Sequence, residues 1–230
     1  MLKWFDGSND ANSEYRSEIE SIRNEIEVVL QGEKPPRNWR YISVSEEHTQ
    51  LFAVNSGNAY VKLADARREA TSKLHYEHDG LIAHLQLLNR TSDVRAIDMV
   101  NFRGRSGLLT PNLGRDAEEV IGESHSRRGT RSASPLSVEQ FAQLVGAVME
   151  GPKHGDLGSH NLLIRDGTKK STTGLPACFI DFTPMHRYAT PIHEGLAEIA
   201  SELGIAYQDL PKYLKENFSA SAWQRLGNNR

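Results

Sequence analysis

"KHGDLGSHNLLIRDG", residues 153–167, sets a His, a Gly and an Asp side by side, with an Asn five residues after the Asp. Taken alone, it is a polar turn with a capping Asp in front of a β-strand. The neighbouring sequence gives it a second meaning. "NLLIRDG" (161–167) and "ACFIDF" (177–182) are two apolar runs joined by the polar loop "TKKSTTGLP". Paired as a hairpin, they bring Asp181 close to Asn161, where an amide oxygen and a carboxylate share a cation. The loop reversal ahead of the first run aims Asp156 toward a hydroxyl.

Working outward from this stretch, the upstream half supplies a cation and its partner. "WRYISVS", "TQLFAVNS" and "NAYVKLA" are short runs rich in β-branched and aromatic residues, and they predict a three-strand antiparallel meander over 39–64. Lys62 lies in the third strand, where a lysine in an alternating pattern ordinarily faces solvent. "REATSKLHYEHDGLIAHLQLL" (68–88) predicts a helix with Leu74, Leu81, Ile82, Leu85 and Leu88 on one stripe. Glu77 shares that stripe. A carboxylate there needs a partner, because burying an unpaired charge is costly. Lys62, on the strand just before, is the candidate, and the pairing holds its ammonium toward a phosphate.

These parts fit one chemistry. Phosphoryl transfer from a nucleotide needs a cation on the phosphates, oxygen ligands for Mg²⁺ and a carboxylate that orients the attacking hydroxyl. "HGDLGSHNLLI" followed by "CFIDF" resembles the protein-kinase-like phosphotransferases, specifically the aminoglycoside phosphotransferase and choline kinase branch, which writes HGD and IDF or IDW for the kinase HRD and DFG. "YVKLA", "LHYEHDGLIAHL" and "GLLTPNLG" resemble its strand lysine, helix glutamate and inter-lobe hinge. The likeness runs over roughly 40–200. It implies ATP and Mg²⁺ as cofactors, Asp156 as catalytic base and His154 as a loop-stabilising residue. It also implies Asn161 and Asp181 as Mg²⁺ ligands, Lys62 as a phosphate contact with Glu77 as ion-pair partner, and a hinge at Leu109, Pro111 and Leu113 around the adenine. The fold it implies is α+β and bilobal. Residues 37–110 form an N-lobe, a small antiparallel sheet with one helix; residues 111–230 form a shortened, mostly helical C-lobe whose β-hairpin carries the site.

Ahead of the lobes, residues 1–36 read as an N-terminal helical extension. "SEYRSEIESIRNEIEVVLQ" (13–31) places Ile19, Ile22, Ile26, Val29 and Leu30 at helical spacing, ending at Gly32. The stripe serves as a docked flank or as the face for a protein partner. "VRAIDMVNFRGRSGLLTPNLG" adds two strands around a turn at Gly104–Gly107. Residues 115–135 are polar and read as a mobile connection, in which "SRRGTRSAS" offers Arg residues ahead of Ser and Thr as a phosphorylation site. "SVEQFAQLVGAVMEG" predicts a helix with Ser137 as N-cap and Gly151 as the residue closing it. "PIHEGLAEIASELG" is a further helix, and two short helical pieces close the chain.

Composition narrows the setting. Of 230 residues, 38% are hydrophobic and 25% charged, compatible with a globular protein. A net charge of −3 gives no global reason for nucleic-acid or membrane binding. The single cysteine, Cys178, excludes an internal disulfide and fits a reducing compartment. No apolar run approaches the ~20 residues of a membrane span, and the start has no secretory h-region. The expectation is a cytoplasmic protein. His75 and His78 lack the thiolates or HExxH pattern of a zinc site, and Cys178 reads as a core residue.

Two functions compete. The first is ATP- and Mg²⁺-dependent transfer of a phosphoryl group to a hydroxyl on a small molecule or protein. The second is a nucleotide-binding pseudokinase acting as a regulatory module. It is motivated by the turn "SVSEEHTQLF", which has no glycine to cradle phosphates, and by the short region after "IDF".

Overall fold

A computed structural model describes residues 9–44, 49–65, 67–126, 135–165, 174–184 and 192–205. In chain order the elements are α1 (Asn9–Leu30), β1 (Arg40–Val44), β2 (Thr49–Val54), β3 (Ala59–Ala64), α2 (Arg68–Leu87), the single turn α3 (Thr91–Val94), β4 (Asp98–Phe102) and β5 (Arg105–Pro111). They continue with β6 (Arg115–Asp116), α4 (Ala117–Ser126), α5 (Val138–Glu150), β7 (Leu162–Ile164), β8 (Ala177–Phe179) and α6 (Ile192–Glu202). The architecture is mixed α and β, with two antiparallel sheets ordered β1-β2-β3-β5-β4 and β6-β7-β8.

The larger sheet follows from short runs of β-branched and aromatic residues separated by turns. Its middle strand is β3, with Lys62 opposite Leu51 on β2 and Leu108 on β5. The β4–β5 reversal needs two residues, Arg103 and Gly104, with φ of 46° and 81°, as tight hairpins require. The turn is thus shorter than the Gly104–Gly107 span expected, and Gly107 lies inside β5. It is a glycine because α1 crosses there: a Cβ would stand 2.5 Å from Cγ2 of Ile26.

That crossing shows how α1 is held. Ile22, Ile26, Val29 and Leu30 are buried in one cluster with Trp39, Phe52, Val61 and Leu109. The Trp39 indole N–H donates to Glu25 at 2.8 Å. The Arg105 guanidinium donates to the Leu30 carbonyl at 2.7 Å, satisfying an acceptor that the helix end leaves over. The sheet therefore fills the apolar stripe of α1.

A second cluster gathers Leu74, Leu81 and Leu85 of α2, Phe141 and Leu144 of α5, and Leu196 and Ile199 of α6 around Leu162 and Phe179. Helix α5 opens in a capping box in which Ser137 and Gln140 satisfy each other's backbone N–H. Gly151 has φ −91° rather than the left-handed value expected of a closing residue; a Cβ there would stand 2.5 Å from the Ala147 carbonyl. Residues 115–126, expected as mobile, form β6 and α4. Glu118 and Glu119 sit in the first turn of α4, where carboxylates favour a helix start, and Ala117 is wholly buried. Because Arg115 pairs with Ile164, the expected hairpin is part of a three-stranded sheet. Of the proposed phosphorylation stretch, Ser126 ends α4, while residues 127–134 and the closing pieces beyond 205 lie outside the described residues. Among the described residues no helix is long and apolar enough to cross a membrane.

Candidate functional site

Alternation along β3 would leave Lys62 on the less buried face of the strand, and that face looks onto α2 rather than onto open solvent. Its side chain is 19% exposed, and its ammonium donates to Glu77 Oε1 at 2.6 Å. Glu77, 12% exposed, sits on the α2 stripe between Leu74 and Leu81. The same ammonium contacts Asp181, two residues past the end of β8. Asp181 has φ +57°, a left-handed conformation that Asp tolerates better than most residues. This backbone reversal turns its carboxylate back toward β3. One lysine thus joins the sheet, a helix and the second sheet.

The loop at 153–161 is fixed from beneath. His154 is 1% exposed, its ring against Phe182 and Phe179 at centroid distances of 4.7 Å and 5.8 Å. Its Nε2–H donates to the Ile180 carbonyl at 2.7 Å, and its Nδ1 accepts from the Asp156 backbone N–H at 3.3 Å. Both nitrogens suit the neutral ring, and burial holds its pKa below the usual histidine value despite the Ile180 carbonyl and Asp156, which pull it up. Gly155 donates to the Thr183 carbonyl at 2.9 Å. A Cβ there would lie 2.6 Å from the Pro184 carbonyl, so the loop and the segment after Asp181 pack backbone to backbone.

Asn161, 5% exposed, donates through Nδ2 to the Asp156 carbonyl at 2.8 Å and to its Oδ2 at 3.3 Å. That orientation leaves the Asn161 Oδ1 as the atom for a hard cation. Among the described residues no group of three or more His, Cys, Asp or Glu side chains could hold a metal. Asn161 and Asp181, which line the same cavity, are the residues that could offer an amide and a carboxylate oxygen to a hard cation such as Mg²⁺, which takes few protein ligands and keeps waters.

Lys62, Glu77, Asp156, Asn161 and Asp181 all line one open cavity of about 410 Å³, with Ser43 and Thr49 on its sheet side. The expected hinge side chains do not reach it. Leu109 and Leu113 are 1% and 2% exposed and belong to the two separate core clusters, and Pro111 is buried at the end of β5.

Three features escaped sequence reasoning. His160 Nε2 lies 3.2 Å from Asp156 Oδ2, a contact foreshadowed only by the i, i+4 spacing. Its ring packs where a Gly158 side chain would stand, with Cε1 2.5 Å from the ideal Cβ. Arg90, fully buried, donates to Asp93 at 2.6 Å and to the Leu113 carbonyl at 3.0 Å, while Arg165 also binds Asp93. His84 on α2 accepts a hydrogen bond from the backbone of Phe179. Cys178, next to it in β8, is fully buried, and burial raises its thiol pKa, as suits a core residue.

No family model matches the sequence, and no curated protein does. Among solved structures, the chain is similar to a crystal structure of a kinase domain, with 13% identity and a TM-score of 0.40. The match covers 71% of this chain and 62% of that one, so the chain spans less than two thirds of that kinase domain's length. At that level the likeness transfers no residue role.

Proposed function

We propose that the chain has a protein-kinase-like fold and is a phosphotransferase that binds ATP with Mg²⁺ in the cavity and moves the γ-phosphoryl group to a hydroxyl on a small molecule or a protein. One observation carries the reading: the Lys62 ammonium meets both Glu77 and Asp181 in the cavity that also holds Asp156 and Asn161. In this reading Glu77 holds Lys62 in place for the phosphates. Asp156 orients the acceptor hydroxyl and takes its proton, and His154 fixes the loop that presents Asp156. Asn161 and Asp181 hold Mg²⁺, which neutralises charge on the phosphates when bound. The test is phosphoryl transfer from ATP by wild type, Asp156→Ala and Asp181→Ala. Each variant is expected to lose at least about 100-fold, the lower range for a positioned base. Equal rates in all three remove these roles.

A second reading, a nucleotide-binding module without turnover, is supported by contacts already made. Asp156 is engaged by His160 and Asp181 by Lys62. ATP that raises the unfolding temperature, with no transfer to any of a panel of hydroxyl compounds, favours this module, since a ligand of the native state alone stabilises it by mass action.

A further inference from the structure

We propose that His84 is a positioning residue for Asp181, pinning the strand that leads to that carboxylate onto the helix that carries Glu77. Strand β8 is the outer strand of its sheet. Phe179 pairs with Leu162, while the next residue, Ile180, donates its N–H to the Asn161 carbonyl. The Phe179 N–H therefore points away from β7, into the protein interior, where an unmet donor is expensive. His84 Nε2 accepts it at 3.1 Å. The ring itself lies 5.4 Å from Phe182 and 6.0 Å from Phe179, centroid to centroid.

The tie is part of a wider cradle. Glu77, Gly80 and His84 fall at i, i+3 and i+7, one face of α2, and all three act on residues 179–182. Glu77 meets Lys62, which contacts Asp181. Gly80 lets the helix approach Phe182, since a Cβ there would stand 2.7 Å from Phe182 Cβ and Cγ. His84 holds Phe179. The helix thus meets the strand end at two points, Gly80 and His84, separated by about 6 Å along its axis, and Glu77 reaches Asp181 through Lys62.

A packing role alone does not account for a histidine here. With Nε2 accepting, the ring proton sits on Nδ1, which is buried and has no partner among the described residues. Leucine would fill the same space without that cost. If His84 served only to pack, His84→Leu would be neutral or stabilising.

The experiment compares wild type, His84→Leu and His84→Gln, following single-amide hydrogen exchange and the Mg²⁺ dependence of ATP binding. Leucine is expected to speed exchange at Phe179 at least tenfold while amides of residues 74–81 in α2 keep their protection. It also raises the half-saturating Mg²⁺ concentration roughly tenfold, the lower range for removing a residue that orients a metal ligand. Glutamine, whose side-chain oxygen can accept the same N–H, restores both to within about twofold, as a true acceptor replacement should. Equal exchange at Phe179 in wild type and the leucine variant overturns the proposal. If the leucine variant does not fold, the wild-type rate decides: an unprotected Phe179 amide overturns the tie, and slow exchange retained in the glutamine variant supports it. The Mg²⁺ arm rests on the phosphotransferase reading. A wild type that binds no Mg²⁺–ATP sinks that reading, and the exchange arm still rules on the tie.

Discussion

Gly107 shows how much a single missing methyl group decides. Ile26 of α1 occupies the place where any other side chain would begin, and Ile26 is wholly buried. Gly107→Ala is expected to lower stability by about 1–3 kcal/mol, as overpacking does, measured by urea unfolding. In an Ile26→Ala background the same substitution should cost markedly less, because the clashing atom is gone and the pair is coupled. An unchanged cost in the double mutant would mean that α1 is not seated on β5 in this register. Gly155 obeys the same logic against the backbone at Thr183 and Pro184, which is why the motif around Asp156 tolerates no bulk in front of the carboxylate.

At the scale of elements, helix α5 rests on its start. The Ser137–Gln140 capping box satisfies two donors that the first turn leaves open, so Ser137→Ala is expected to cost about 1 kcal/mol. A chemical-denaturation midpoint that does not move would show that solvent serves the turn equally well. This cap was legible in "SVEQ", as were the meander and the α2 stripe, because each is a local pattern with a fixed period. Lys62 and Glu77 were legible for the converse reason: a charge inside an apolar pattern demands a partner. The helix α4 was not, since a short polar segment reads as loop until Ala117 is seen buried in the core. Nor was His84, whose partner is a backbone N–H on an edge strand 95 residues away, and no side-chain pattern marks a backbone donor. Leu109, Pro111 and Leu113 were expected as an adenine hinge from the resemblance of "GLLTPNLG" to an inter-lobe hinge, and in the structure all three side chains are buried, Leu109 and Leu113 in the two cores. An apolar residue near a cleft suits either environment, and sequence alone does not tell them apart.

For the whole molecule, two buried histidines set the response to acid. Burial, with His154 and Arg90 close by, brings the pKa of His84 down to about 3, and burial lowers that of His154 as well. The unfolded chain takes up these protons near pH 6.5. Between there and about pH 3 the unfolded state binds more protons than the folded one, so stability is full above pH 6.5 and falls as acid is added. For His84 the slope approaches about 1.4 kcal/mol per pH unit, and His154 adds in the same direction. Urea midpoints across pH 7.5 to 4.5 should decline on this account, and His84→Gln should flatten the decline; parallel curves would mean that His84 is not buried neutral. Elsewhere the Lys62–Asp181 contact bears on ion affinity. In the proposed reading, a divalent ion approaching Asp181 meets a carboxylate already held by an ammonium and arrives as its competitor. Glu77 gives the displaced lysine a second berth, so the exchange strands neither charge. Loading of the cavity would then carry the cost of displacing one lysine from Asp181, and ion affinity would rise if that lysine were removed.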